Sequence, residues 1–166
     1  MPHADFTIRP AQPGEAPVLT ALCMRSKAHW GYDSAFMAAA ARLLRIEETE
    51  IGAGGVLVAV RESELAPCGM AAIVPLRRPH WFELSHLFVA PECLRLGIGR
   101  ALFHAAGAAA AQRGASHLSI LSDPYAAPFY ERLGARRCGE APSGVMPNRM
   151  LPLFAFAITP ERRAAD

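Results

Sequence analysis

Apolar positions along the chain fall into short β-like runs and longer helical stretches, separated by turn-forming residues. Residues 5–9 (DFTIR) predict a first strand, and residues 14–26 and 33–46 predict helices on either side of an aromatic loop, AHWGYD. Gly54-Gly55 break the helical pattern and lead into GVLVAVRE, whose β-branched centre predicts a strand. Two further strands follow at 68–76 and 81–89, and the polar joints ESELAP and RRP have the length of hairpin connections. After APECLRL, the stretch GIGRALFHAAGAAAAQR predicts a helix, with Gly114 placed to cap it. A strand at 117–121, a short helix at 128–133 ending at Gly134, and strands at 135–140 and 150–158 complete the pattern. Antiparallel hairpins followed by a strand–helix–strand crossover imply an α/β domain with a mixed sheet.

Composition narrows this picture. The 166 residues are 52% apolar and 19% charged, which excludes a disordered or fibrous chain. No repeat or linker divides them, so a single domain over 1–166 with a core at 5–158 is expected. No apolar run approaches the ~18 residues of a membrane helix, and no membrane partner is expected. The opening MPHADFTIRP carries Asp5 and no apolar block, so the expectation is no signal peptide and a cytoplasmic location. A formal charge of +2, with arginines spread along the chain, does not point to nucleic acid. The four cysteines, Cys23, Cys68, Cys93 and Cys138, form no C-x-x-C pair and have no histidine at ligand spacing. They read as reduced thiols, with no metal.

The segment LFVAPECLRLGIGRALF (87–103) carries the most chemistry. A strand ends, the chain turns, and Gly97-Ile98-Gly99 opens a helix. Glycines there permit unusual backbone angles and close approach of another group. The free N–H groups of a helix's first turn favour an anion, and Arg95 and Arg100 add positive charge. A phosphate or diphosphate is the natural guest. The dinucleotide fingerprint fails at Leu102, where its third glycine would stand, and a Walker A loop fails because the only lysine is Lys27.

Residues 87–103 resemble motif A of the GNAT superfamily of N-acetyltransferases, a strand followed by [RQ]-x-x-G-x-[GA]. Residues 123–140 (DPYAAPFYERLGARRCGE) resemble its motif B, N-x-x-A-x-x-F-Y-x-x-x-G-F, at the family's spacing of about 30 residues. The order of strands and helices over 5–158 is similar too. Two positions depart from the pattern. Leu94 stands where motif A has Arg or Gln, with Arg95 beside it, and Asp123 stands where motif B has Asn. The resemblance implies a mixed, mostly antiparallel central sheet of six to seven strands, splayed in the middle and flanked by about four helices. It also implies acetyl-CoA as acetyl donor. The donor's diphosphate would be held by Leu94, Arg95, Leu96, Gly97, Ile98, Gly99 and Arg100, with Asp123 as a further contact. Its pantetheine arm would lie along the main chain of Leu87, Phe88 and Val89.

Direct transfer of acetyl to a primary amine needs a base, because an alkylammonium titrates near 10.4 and is protonated at neutral pH. The resemblance places Glu83 where some members carry a catalytic glutamate, with Ser85, His86 or a water as alternatives. Tyr130 matches the motif B tyrosine that donates a proton to the departing thiolate. His29, Trp30, Tyr32 and Asp33 lie where the family builds its acceptor wall, although Asp33 also suits a helix N-cap. The expected acceptor is a small-molecule amine or a peptide amine. A non-catalytic acyl-CoA sensor is the competing function. The apolar last strand, LPLFAFAI, offers an edge for a second copy, so a homodimer is a further expectation.

Overall fold

Short polar joints close hairpins, whereas a parallel pair requires a long crossover, and the chain uses both. The computed structural model describes residues 5–159. Its strands are β1 (Phe6–Pro10), β2 (Val56–Arg61), β3 (Pro67–Pro75), β4 (Trp81–Val89), β5 (His117–Leu121), β6 (Arg136–Pro142) and β7 (Met150–Ala157). They form one seven-stranded sheet in the order β1-β2-β3-β4-β5-β7-β6. Every neighbouring pair is antiparallel except β4 and β5. Those two are joined by helix α4 (Ile98–Gln112). The remaining helices are α1 (Ala16–Ala28), α2 (Ser34–Leu44), α3 (Glu48–Gly52) and α5 (Ala127–Arg132). The expected mixed, mostly antiparallel sheet with flanking helices is present.

The sheet is covered on both faces. Leu19 and Leu22 of α1 and Phe36 and Leu44 of α2 pack on Val58 and Met70. Across the sheet, Ile98, Leu102 and Phe103 of α4 pack on Ile73, Leu118 and Phe154. Each such side chain contributes roughly 1.5–3 kcal/mol by leaving water. Gly69 of β3 sets how closely α4 seats. A Cβ there would come within 2.9 Å of both Ile98 Cγ2 and Leu102 Cδ1.

Two expectations need correction. The sequence reading passed over α3, because the polar run EETEIG has no helical periodicity. What holds it is a capping box, in which Glu47 and Glu50 reciprocally bond each other's main-chain N–H, with Ile51 buried beneath. The last strand does not offer an edge to a second copy, because β7 is bonded to β5 on one side and to β6 on the other. The edge strands are β1 and β6.

The splay in the middle of the sheet positions everything that follows. The parallel ladder joins Trp81, Phe82 and Glu83 to His117, Leu118 and Ser119, then stops. Beyond it β4 continues on β3 as far as Val89, while β5 continues on β7 as far as Leu121. A wedge opens between the two strands, and the first turn of α4 stands at its wide end.

Candidate active site

The turn before α4 is built by two left-handed residues, Arg95 (φ 65°) and Gly97 (φ 81°). A Cβ at Gly97 would touch nothing within 4 Å, so glycine is needed there for its backbone angle and not for space. The first helical bond runs from Ala101 N–H to the Gly97 carbonyl. The main-chain N–H groups of Arg95, Leu96, Gly97, Ile98, Gly99 and Arg100 have no acceptor among the described residues. Six successive amides thus converge on one turn, with the Arg95 and Arg100 side chains exposed beside them. Leu94, at the position where motif A has Arg or Gln, is extended and partly exposed. This is an anion cradle made of main chain, which makes the missing polar side chain at Leu94 tolerable.

The wedge adds a second binding feature. Main-chain groups of Leu87, Phe88 and Val89 are bonded to β3 on one side and have no ladder partner on the other. An extended, amide-bearing chain can pair there as an added strand. The cavity that joins wedge and turn has a volume of about 830 Å³. A diphosphate attached to an amide-bearing arm therefore fits the groups present at both ends.

A bulge in β4 decides which side chains see this cavity. Ala72 pairs with His86 and Ile73 with Leu84, so Ser85 is an extra residue on β4. Its hydroxyl bonds the Ala72 carbonyl at 3.2 Å. Phe82 and Leu84 pack on the α4 side; after the bulge that side is taken by Leu87 and Val89, while Phe88 packs on the α1 and α2 side. His86 lines the cavity, and Glu83 is not among its lining residues. Glu83 sits in the closed part of the ladder, between Val74 and Ser119.

His86 is 9% exposed, and its Nε2 lies 2.9 Å from the Leu43 carbonyl at the end of α2. A carbonyl only accepts, so Nε2 carries the proton and the neutral ring keeps its lone pair on Nδ1. Nδ1 lies 3.2 Å from Ser85 Oγ, whose own proton is directed at Ala72. The imidazole is thus held at both nitrogens, on the wall of the cavity. Tyr130, on the single-turn helix α5, also lines the cavity and is 7% exposed. Its hydroxyl has no partner among the described residues and is not sealed from solvent. Burial, reinforced by the charge of Asp123, pushes this phenol well above its ordinary value, so it stays protonated.

The far wall is tied together by Asp123. Its Oδ2 takes an ion pair from Lys27 and a 2.7 Å hydrogen bond from the Tyr32 hydroxyl, and its Oδ1 accepts the Tyr125 N–H at 2.9 Å. Burial alone would raise this carboxyl, but Lys27 and the two hydrogen bonds outweigh it and hold it below the usual range. Burial and Asp123 together push the Tyr32 phenol up to about 12. Trp30 stacks flat on Tyr125 with ring centroids 5.3 Å apart, and His29 meets Trp30 edge-on. His29 and Trp30 line the cavity, while Tyr32 stands behind Asp123. The Asp33 carboxylate caps α2 by accepting the Phe36 N–H at 2.8 Å.

Three groups have roles here that the sequence did not assign to them. Tyr125 is the stacking partner of Trp30, Lys27 is the counter-ion of Asp123, and Arg149 donates to the Tyr32 hydroxyl at 3.0 Å. Lys27 carried one signal, as the chain's only lysine. The other two come from loops distant in sequence. Val145 and Leu151, from the β6–β7 connection and the start of β7, close the cavity on the same side.

Comparison with known proteins agrees with this geometry. Residues 33–143 match the family model of the acetyltransferase (GNAT) domain. Solved structures share the fold. PaiA N-acetyltransferase from Thermoplasma acidophilum, in complex with coenzyme A, superposes with a TM-score of 0.72 at 17% identity, over 92% of this chain and 98% of that one. A GNAT-family acetyltransferase from Staphylococcus aureus Mu50 gives 0.72 at 15% identity, over 93% and 99%. A GNAT-family acetyltransferase from Brucella melitensis, in complex with acetyl-CoA, gives 0.64 at 19% identity, over 95% and 91%. The curated proteins give no sequence match.

Proposed function

The chain belongs to the GNAT acetyltransferase family, and from that premise we propose that it is an acetyl-CoA-dependent N-acetyltransferase acting on a primary amine. The observation that carries this reading is the run of partnerless amides from Arg95 to Arg100 opening beside the unpaired edge of β4. Those amides, with Arg95 and Arg100, would hold the diphosphate, and Leu87 to Val89 would hold the pantetheine arm. The bound donor supplies an acyl group already activated as a thioester.

The chain's residues then have three tasks. A free main-chain N–H of the Leu87–Val89 edge polarises the carbonyl oxygen, a one-donor oxyanion hole. His86 Nδ1 takes the proton that the acceptor nitrogen gives up, directly or through a water. Its place on the cavity wall favours it over Glu83, which stands outside the lining. Tyr130 donates its hydroxyl hydrogen to sulfur. In the exchange the new N–C bond replaces the C–S bond; an acceptor that arrives as ammonium gives up two protons, the thiolate takes up one, and one passes to solvent. A phenol held above its ordinary value serves mainly as a hydrogen-bond donor to the developing anion, near the N-terminal end of α5.

The test measures thiol release from acetyl-CoA across a panel of amines, alongside calorimetry of acetyl-CoA binding. Turnover with one class of amine supports the transferase. Tight binding without turnover on any amine favours the sensor. No binding removes the acyl-CoA reading altogether.

A further inference from the structure

The wedge between β4 and β5 opens through the sheet, so the cavity has a lining on each face. On the α4 face it is lined by Leu87, Val89, Ile98 and Tyr130, all members of the core beneath α4. On the opposite face it is lined by Ala40 and Leu44 of α2, by Phe88, and by Val145, all packed in the core beneath α1 and α2. Leu151 joins this second group. Phe154 and Phe156 of β7 pack on the α4 side, and strand alternation turns Leu151 the other way. The anion cradle is the first turn of α4, so the donor's anionic end is gripped on the first side. The second lining is left to the acceptor.

That second lining reaches the reaction centre. Leu43, in the last turn of α2, also lines the cavity, and its carbonyl lies 2.9 Å from His86 Nε2. A Cβ on Gly144 would come within 2.8 Å of Leu43 Cδ1, so the β6–β7 connection abuts this side chain. Leu43 is nonetheless 43% exposed, and apolar surface with no cover runs out to the mouth. The neighbouring polar groups have partners already. Asp123 is the one carboxylate among the described lining residues, and it accepts from Lys27, Tyr32 and Tyr125. The Ser85 hydroxyl bonds the Ala72 carbonyl. A cationic tail would find no free carboxylate, while Lys27, Arg95, Arg100 and Arg132 line the same space. What this wall rewards is apolar surface leaving water.

We infer that the acceptor is a primary amine on an uncharged apolar body, an alkyl or arylalkyl amine. It enters from the α1 and α2 face, packs on Leu43, Val145 and Leu151, and turns its nitrogen towards His86. The inference rests on the transferase reading above. Binding then draws on the body of the acceptor and not on its ammonium, which has to lose its charge to react.

The experiment measures kcat/KM by thiol release for the straight-chain amines from propylamine to hexylamine, in wild type and Leu43→Glu. These amines titrate alike, so any slope reads burial and not basicity. The expected rise is about fourfold per methylene. Cadaverine, which replaces the terminal methyl of hexylamine with an ammonium, should be at least about tenfold poorer, because that charge is buried without a partner. Phenethylamine should likewise exceed phenylalanine. Leu43→Glu, a change at an exposed position, should lower hexylamine by about tenfold and raise cadaverine, since it supplies the missing carboxylate. Calorimetry with acetyl-CoA checks that the variant retains its fold. A flat series overturns the inference, as does equal use of cadaverine and hexylamine, a preference for phenylalanine, or a Leu43→Glu protein with unchanged selectivity. Absence of thiol release with any amine, with acetyl-CoA still bound, sinks the transferase reading itself.

Discussion

Lys27→Met isolates the ion pair that ties the α1–α2 loop to the β5–α5 loop. Lys27 and Asp123 side chains are only 15% and 13% exposed, so water replaces little of what the substitution removes. Breaking a buried pair from one side costs about 3–5 kcal/mol, because the remaining charge stays buried. Asp123 keeps the Tyr32 hydroxyl and the Tyr125 N–H, which places the expected loss near the lower end, about 3 kcal/mol. For a chain of this length that corresponds to a fall in Tm of roughly 6–12 °C. Asp123→Asn should cost less, since the amide oxygen still accepts the Tyr125 N–H, its NH2 can donate to the Tyr32 hydroxyl, and the long lysine can reach water. The double variant should then be more stable than Lys27→Met alone, because it carries no orphaned charge. The pH dependence follows from the same pair. In the wild type the Asp123 carboxyl is held below its unfolded value, so its stabilisation is complete above about pH 3.9 and fades as pH falls through the folded pKa. In Lys27→Met burial prevails and the carboxyl rises instead, so the deficit against wild type should shrink between pH 7 and pH 4.5. Urea unfolding of the four proteins at both pH values measures this. A Lys27→Met protein within about 0.5 kcal/mol of wild type at pH 7, or single losses that simply add, would refute the reasoning.

The other predictions concern the helix seat and the chemistry. Gly69→Ala should destabilise by about 1–3 kcal/mol, because its Cβ would strike Ile98 and Leu102, and it should weaken acetyl-CoA binding by displacing the first turn of α4. Gly107→Ala, in the same helix with nothing within 4 Å of its Cβ, should stabilise by roughly 1 kcal/mol and leave binding unchanged; thermal melts and calorimetry separate the two. Tyr130→Phe should lower kcat by about 10²-fold or more with little change in acetyl-CoA affinity, and an unchanged kcat would remove its role at sulfur. His86→Gln should lower kcat by about 10²-fold and regain activity at high pH, where free amine is abundant, while Glu83→Gln should stay within a few-fold of wild type. Rate–pH profiles of the two variants decide between the bases, and the opposite ranking would return the role to Glu83.

What was legible in the sequence, and what was not, divides along the length scale of the forces involved. Gly97 and Gly99 at a strand–helix junction were readable because a left-handed backbone and free amides are properties of a few consecutive residues. Strand and helix order was readable for the same reason, since Leu102, Phe103, Ala106 and Ala110 repeat on one face of α4 without reference to anything outside it. The single turn of α3 was not, because five residues are too few for a period and its capping box uses glutamate where Ser or Thr is the familiar signal. The bulge at Ser85 was still less accessible. Nothing in WFELSHLFV marks it, since it arises from register against β3 and is decided by packing on both faces of the sheet at once. Yet it determines the chemistry. With strict alternation Leu84, His86 and Phe88 would share a face; one extra residue leaves Leu84 on the α4 side and sends Phe88 to the other. That shift puts the imidazole in reach of the Leu43 carbonyl, which fixes its tautomer, while the glutamate favoured by family position stays in the closed ladder. Arg149 follows the same logic at greater range, because its partner Tyr32 lies in another loop and their meeting depends on how the β6–β7 connection settles against α2, where Gly144 leaves just enough room beside Leu43. Local backbone chemistry therefore announces the run of free amides at the start of α4, whereas the far wall of the cavity is written in contacts between segments that only the folded chain brings together.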